Sequence, residues 1–168
     1  GEVYMCDVAE KKLRYAMDNF GFDGMILNES PEALEKAVAD ITGQIDIRGN
    51  VNAYGFDVCI EAVGLPSTFQ NCIDAAAFGG KVVLIGVGKK NLDFNFTLIQ
   101  KKELNVFGSR NALKKDFVEL IDLVNAGKAD LGRVITNMYP ADKAAEAFAE
   151  FDKNGAEMLK VVLDFSEF

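Results

Sequence analysis

The chain has 168 residues, 49% of them hydrophobic, and its 18 Lys and Arg against 26 Asp and Glu leave a net charge of −8. That length suits one domain with its own core, and a net negative surface argues against nucleic acid or anionic lipid as a partner. No apolar run approaches the ~20 residues of a membrane span and residues 1–6 lack a signal-peptide pattern, so a cytoplasmic protein is expected.

Val3 to Cys6 reads as a buried strand ending at Asp7. Residues 9–19 put Leu13, Ala16 and Met17 on one helical face, and Gly21 follows as a stop. Met25 to Leu27 is a second strand. Ser30, Pro31 and Glu32 open a helix with a cap, a first-turn proline and an acid, and its inward face is Leu34, Ala37, Val38 and Ile41. That helix stops at Gly43, and residues 44–56 read as a polar loop. Asp57 to Glu61 is a third strand, and Pro66-Ser67 begins the next helix. Lys81 to Ile85 is an apolar strand closed by Gly86. Leu92 to Phe96 alternates apolar and polar residues, which suits either a short exposed edge strand or a segment folded over its own core. Leu104 to Phe107 is a strand, and residues 114–126 form a helix with Phe117, Leu120, Ile121 and Val124 on one face. A strand (133–138), a helix (142–153) and a strand (158–164) close the chain.

Strands alternating with helices of ~10–15 residues predict right-handed crossovers and an α/β fold with a doubly wound, mostly parallel sheet. Chemistry-bearing residues are sparse. There is no histidine, the commonest proton carrier at neutral pH and the commonest zinc ligand. Cys6, Cys59 and Cys72 are three in number with no short Cys-x-x-Cys spacing, so neither a disulfide nor a structural zinc is expected. Asp7, at a strand tip, suits the acidic residue that accepts ribose hydroxyls in a dinucleotide fold and repels an extra phosphate; it suits a turn equally well.

Three further stretches follow in order: Glu61-Ala62-Val63-Gly64; Gly79-Gly80-Lys81 running into Val82 to Gly88; and Phe107-Gly108-Ser109-Arg110-Asn111. With the closing run from Tyr139-Pro140 through Ala145–Phe148 to Lys160–Phe165, they resemble the coenzyme-binding part of the medium-chain, zinc-type alcohol and polyol dehydrogenases, a family that includes sorbitol, threonine, galactonate and idonate dehydrogenases. The resemblance covers nearly the whole chain outside 44–56. It implies a Rossmann-like domain over 1–168, with 133–168 packing back toward a catalytic domain not contained in the chain. It implies NAD as coenzyme, with Asp7 on the adenosine ribose and Lys12 on the following helix. Ala62, Val63 and Gly64 would lie by the adenine and ribose, and Ile85, Gly86 and Val87 would offer backbone to the nicotinamide carboxamide. Phe107, Gly108 and Ser109 would form a second carboxamide contact. Arg110 and Lys160 would bring cations toward ribose or pyrophosphate. Taken without that register, the glycines are ordinary turn residues and the two cations ordinary solvated charges.

The resemblance also implies absences. No Gly-x-Gly-x-x-Gly turn is present to seat a pyrophosphate on a helix N-terminus. The fold is therefore expected to lack its first strand-turn-helix unit, which is central in the strand order 3-2-1-4-5-6. Either another copy fills that slot by domain swapping, or the sheet opens and rearranges, which pairing of strand 2–6 with 57–61 would support. The family's zinc, a Lewis acid toward the alcohol, would have its ligands outside this chain. No catalytic or metal-binding residue is assigned, and coenzyme binding by the chain alone is expected to be weak or absent. Related dehydrogenases dimerise near 92–96, so a homodimer is expected there. Tyr139 and Lys143 match the Tyr-x-x-x-Lys spacing of short-chain dehydrogenases, but Pro140 places the tyrosine at a strand-helix junction. Three functions remain open: part of an NAD-dependent dehydrogenase acting on a secondary alcohol of a polyol or sugar acid, inactive by itself; a non-catalytic interaction or dimerisation module; and a methyltransferase-type domain, which would leave 107–111 and the closing run without a role.

Overall fold

The computed structural model describes residues 1–43 and 54–166, and every strand pairing within them is parallel. In chain order the elements are β1 (Tyr4–Asp7), α1 (Glu10–Phe20), β2 (Gly24–Leu27), α2 (Pro31–Thr42), β3 (Phe56–Glu61), α3 (Pro66–Ala75) and β4 (Ala76–Leu84). There follow α4 (Thr97–Lys102), β5 (Asn105–Gly108), α5 (Lys114–Asn125), β6 (Ile135–Pro140), α6 (Ala144–Asn154) and β7 (Lys160–Asp164). This is the Rossmann-like α/β arrangement expected, with its strands hydrogen-bonded in three groups: β1-β2, β3-β4-β5 and β6-β7. The chain divides into two units, residues 1–27 with 112–168, and residues 28–111.

In the first unit β1 runs beside β2 in register from Tyr4–Gly24 to Asp7–Leu27. Helix α1 buries Leu13 and Ala16, and Gly21 ends it in the left-handed region at φ 67°. The Tyr15 hydroxyl donates to the Arg133 carbonyl at 2.8 Å, and the Arg133 guanidinium donates to the Asn19 carbonyl at 2.7 Å. These two bonds tie α1 to the 3₁₀ turn that leads into β6. Tyr139 lies on β6 and Lys143 in the following 3₁₀ turn, so the pair shares no helix face.

Two expectations for this unit need correction. Strand β1 is not buried: Val3 and Cys6 are exposed, because among the described residues β1 has β2 alone as a ladder partner. Helix α5 has the expected amphipathic pattern, yet none of its residues is buried; Phe117 is 59% exposed and Leu120, Ile121 and Val124 are also open to solvent.

In the second unit Ser30 Oγ accepts from the Ala33 amide at 3.2 Å, and α2 buries Leu34 and Val38. Strand β4 is central, with Val82 fully buried, and its register aligns Glu61 with Leu84 and Leu84 with Gly108. The strand begins at Ala76, five residues before the expected Lys81, because α3 passes into it without a loop. Of the expected 44–56 loop, residues 44–53 lie outside the described residues, while Phe56 is already the first residue of β3.

Of the two forms open to 92–96, the edge strand is not formed. Phe94 instead packs edge-on against Phe69 of α3, with ring centroids 5.0 Å apart, so the alternation there reflects packing onto the chain's own core. Helix α4 follows, and it carries a buried charge. Lys102 is 6% exposed, and its Nζ donates to the carbonyls of Ile73 (3.0 Å), Asp74 (2.7 Å) and Ala76 (3.0 Å). A helix leaves its last carbonyls without partners, and a cation at that end also meets the negative pole of the dipole. Burial lowers the lysine's pKa, against the opposing pull of Asp74 and Cys59. Among the cysteines, Cys59 is buried and Cys72 half-buried, and no disulfide joins any of the three.

Candidate functional site

The second unit gathers most of the expected residues on the carboxyl ends of β3, β4 and β5. Parallel strands end together, so the register alone brings Glu61, Leu84 and Gly108 to one rim. At that rim the turn after β3 and the turn after β4 touch backbone to backbone. The amides of Ile85 and Gly86 both donate to the Glu61 carbonyl, at 2.8 and 3.0 Å. Gly64 sits at φ 86°, and a Cβ there would lie 2.6 Å from the Val87 carbonyl carbon. A Cβ on Gly86 would lie 2.7 Å from the Val63 nitrogen and nearer still to the Gly64 nitrogen and Glu61 Oε2. Both glycines are therefore required by close approach.

One side chain holds these turns. Glu61 is 4% exposed, and its Oε1 accepts from the Val63 amide (2.9 Å), the Gly64 amide (2.8 Å) and the Thr68 hydroxyl (2.6 Å). Burial by itself raises the carboxyl's pKa. The donors on Thr68, Gly64, Val63 and Gly86 outweigh it and hold the group below the usual glutamate value. Thr68 also accepts from the Leu65 amide at 3.2 Å, which anchors the start of α3 to the same cluster.

Outward from this clamp the rim is open. Ala62, Val63, Ile85 and Val87 are exposed, as are Phe107, Gly108, Ser109 and Arg110. The Ser109 amide donates to the Leu84 carbonyl at 2.8 Å, which joins the β5 end to β4. A Cβ on Gly108 would meet nothing within 4 Å, so this glycine, unlike Gly64 and Gly86, is not demanded by the chain's own packing. In the first unit Asp7 ends β1 half-exposed, and its Oδ1 accepts from the Ala9 amide at 2.8 Å. The turn role is thus real, and Oδ2 has no partner among the described residues. Lys12 is half-buried on α1. Lys160 is exposed and opens β7, pairing with Ile135, so it stands at a strand start and not at a carboxyl end.

The sequence profile of the zinc-binding dehydrogenases matches residues 1–126. The chain belongs to the zinc-binding dehydrogenase family. It is 33% identical over 106 residues to L-galactonate-5-dehydrogenase of Escherichia coli (strain K12), covering 63% of this chain and 31% of that protein. To sorbitol dehydrogenase 1 of Saccharomyces cerevisiae it is 26% identical over 162 residues, covering 96% of this chain and 44% of the relative. An alcohol dehydrogenase from Escherichia coli CFT073, solved as a complex with NADH, superimposes with a TM-score of 0.78 at 25% identity, covering 98% of this chain and 44% of that one. The chain thus spans less than half the length of these relatives.

Family membership sharpens which groups the chain can hold. Zinc does not fit its donors: there is no histidine, the three thiols are scattered through the sequence, and no three metal-ligating side chains come together among the described residues. A dinucleotide fits better, since the rim offers exposed backbone on a braced edge. Glu61 and Thr68 are the residues that sequence analysis did not place in the site. Their signal was present as an acidic residue ending an apolar strand, three residues before a glycine, but a buried acid shows its purpose only when its donors are seen.

Proposed function

We propose that this chain is the coenzyme-binding part of an NAD-dependent, cytoplasmic dehydrogenase that oxidises a secondary alcohol of a polyol or sugar acid. The observation that carries this is the braced rim, where Gly64 and Gly86 are held in backbone contact and Ala62, Val63, Ile85 and Val87 face outward. The names of the galactonate and sorbitol dehydrogenase relatives support the substrate class. Asp7 accepts the adenosine ribose hydroxyls and, by charge, disfavours an added phosphate. Ile85, Gly86 and Val87 present backbone to the carboxamide, with Phe107, Gly108 and Ser109 as a second contact and Arg110 supplying positive charge. When bound, NAD accepts the hydride; the chain's own residues bind and orient it and do not catalyse alone. A homodimer through 92–96 completes this reading.

Titration with NADH, followed by amide NMR shifts, tests it. Binding is expected to be weak, in the millimolar range or about −4 kcal/mol, with shifts at 62–64, 85–88 and 107–109. NADPH should bind more weakly, and Asp7→Asn, which keeps an oxygen for the Ala9 amide, should narrow that preference. Absence of shifts at these amides, or shifts confined to other surfaces, would overturn the proposal.

A further inference from the structure

We infer that Glu61 is a positioning residue for the coenzyme edge: its carboxylate locks the 62–65 turn against the 85–88 turn, so that the ends of β3 and β4 present their backbone as one rigid surface. The purpose of that surface rests on the coenzyme reading above; the lock itself does not.

Three donors converge on Oε1 within 2.9 Å, and two of them are the consecutive amides of the turn that faces outward. Consecutive amides pointing the same way form an anion nest, and here the anion is the protein's own. The Thr68 hydroxyl has one proton, with Glu61 Oε1 at 2.6 Å and the Leu65 carbonyl at 2.9 Å as alternative acceptors; the charged and closer oxygen is the stronger partner. Oε2 lies on the Gly86 side, where only a glycine leaves room for it. The side chain therefore contacts both turns, and the main chain of Glu61 adds the bonds from Ile85 and Gly86. The other charges on the packed elements lie away from this end: Asp57 near the start of β3, Asp74 near the end of α3, and Lys81 of β4 paired with Val58.

Glu61→Gln tests the charge while keeping size and shape. Its amide nitrogen cannot accept, so one side of the lock must lose its acceptor. Amide hydrogen exchange of the unliganded protein should quicken roughly ten- to hundredfold at Val63 and Gly64, while Val82 in the central strand keeps its protection. NADH-induced shifts at 62–64 and 85–88 should be lost. A role in packing alone would be rescued by glutamine, so exchange and shifts equal to wild type would overturn the inference. Thr68→Val, which removes one donor and leaves the carboxylate in place, should quicken exchange at the same amides to a smaller extent; no change there would also overturn it, even where Glu61→Gln fails to fold. If wild type shows the NADH shifts and Glu61→Gln retains them, the inference fails and the coenzyme reading stands. If exchange responds as stated but wild type shows no NADH shift, the coenzyme reading fails and the lock stands without that purpose.

Discussion

Adding a single methyl group at Gly86 asks most directly whether the two turns are pressed together. Gly86 is not in the left-handed region, so alanine there carries no intrinsic backbone penalty, and restricting the unfolded chain would by itself stabilise by about 0.4–1 kcal/mol. Against that, the new Cβ would lie 2.7 Å from the Val63 nitrogen and closer to the Gly64 nitrogen and Glu61 Oε2. Two of these atoms are backbone, and the third belongs to a carboxylate whose other oxygen accepts from three donors, so none can rotate away freely. Overpacking of this kind costs about 1–3 kcal/mol, and weakening the charge-assisted bonds to Glu61 adds about 1.5–3 kcal/mol. The net expectation is a loss of about 1.5–5.5 kcal/mol, which would move a urea midpoint by about 1 M or more. Gly108→Ala is the matched control, since its Cβ meets nothing within 4 Å; its stability should stay within about 0.5 kcal/mol of wild type, while its added methyl obstructs the open edge and weakens NADH. Equal urea midpoints for Gly86→Ala and wild type would refute the reasoning.

Three other outcomes are expected. Lys102→Met keeps the side chain's length and leaves the carbonyls of Ile73, Asp74 and Ala76 without their cation, which should cost about 3 kcal/mol and be read as a lower melting temperature. The Glu61 carboxyl titrates below its ordinary 4.5 in the folded chain, so its contribution is complete above that value and is lost as pH falls through the folded pKa. The gap in urea midpoint between wild type and Glu61→Gln should therefore be constant near neutrality and shrink below pH 4.5. Phe96 is 73% exposed, whereas Phe94 packs on Phe69, so Phe96→Lys tests the homodimer without disturbing the core. Light scattering should then give half the wild-type mass, and an unchanged mass would count against that interface.

The elements were largely legible in the sequence because local patterns determine them. Ser30-Pro31 opens α2, Gly21 ends α1, and apolar runs mark β1 to β7, since caps, stops and periodicity act over a few residues. The ordered motifs at 61–64, 82–88 and 107–111 likewise pointed to one rim, because parallel strands that follow one another place their carboxyl ends together. Burial was less legible. The apolar patterns of β1 and α5 promised covered faces, but a pattern states only that a face can be buried, and neither element has enough packed against it. Whether Leu92 to Phe96 formed a strand was decided by Phe69, a contact that no local alternation encodes. Glu61 depended most on the tertiary structure. Its sequence neighbours supply two of its donors, but the low-dielectric pocket that makes them strong, and the Gly86 turn it braces, exist only once β4 lies beside β3.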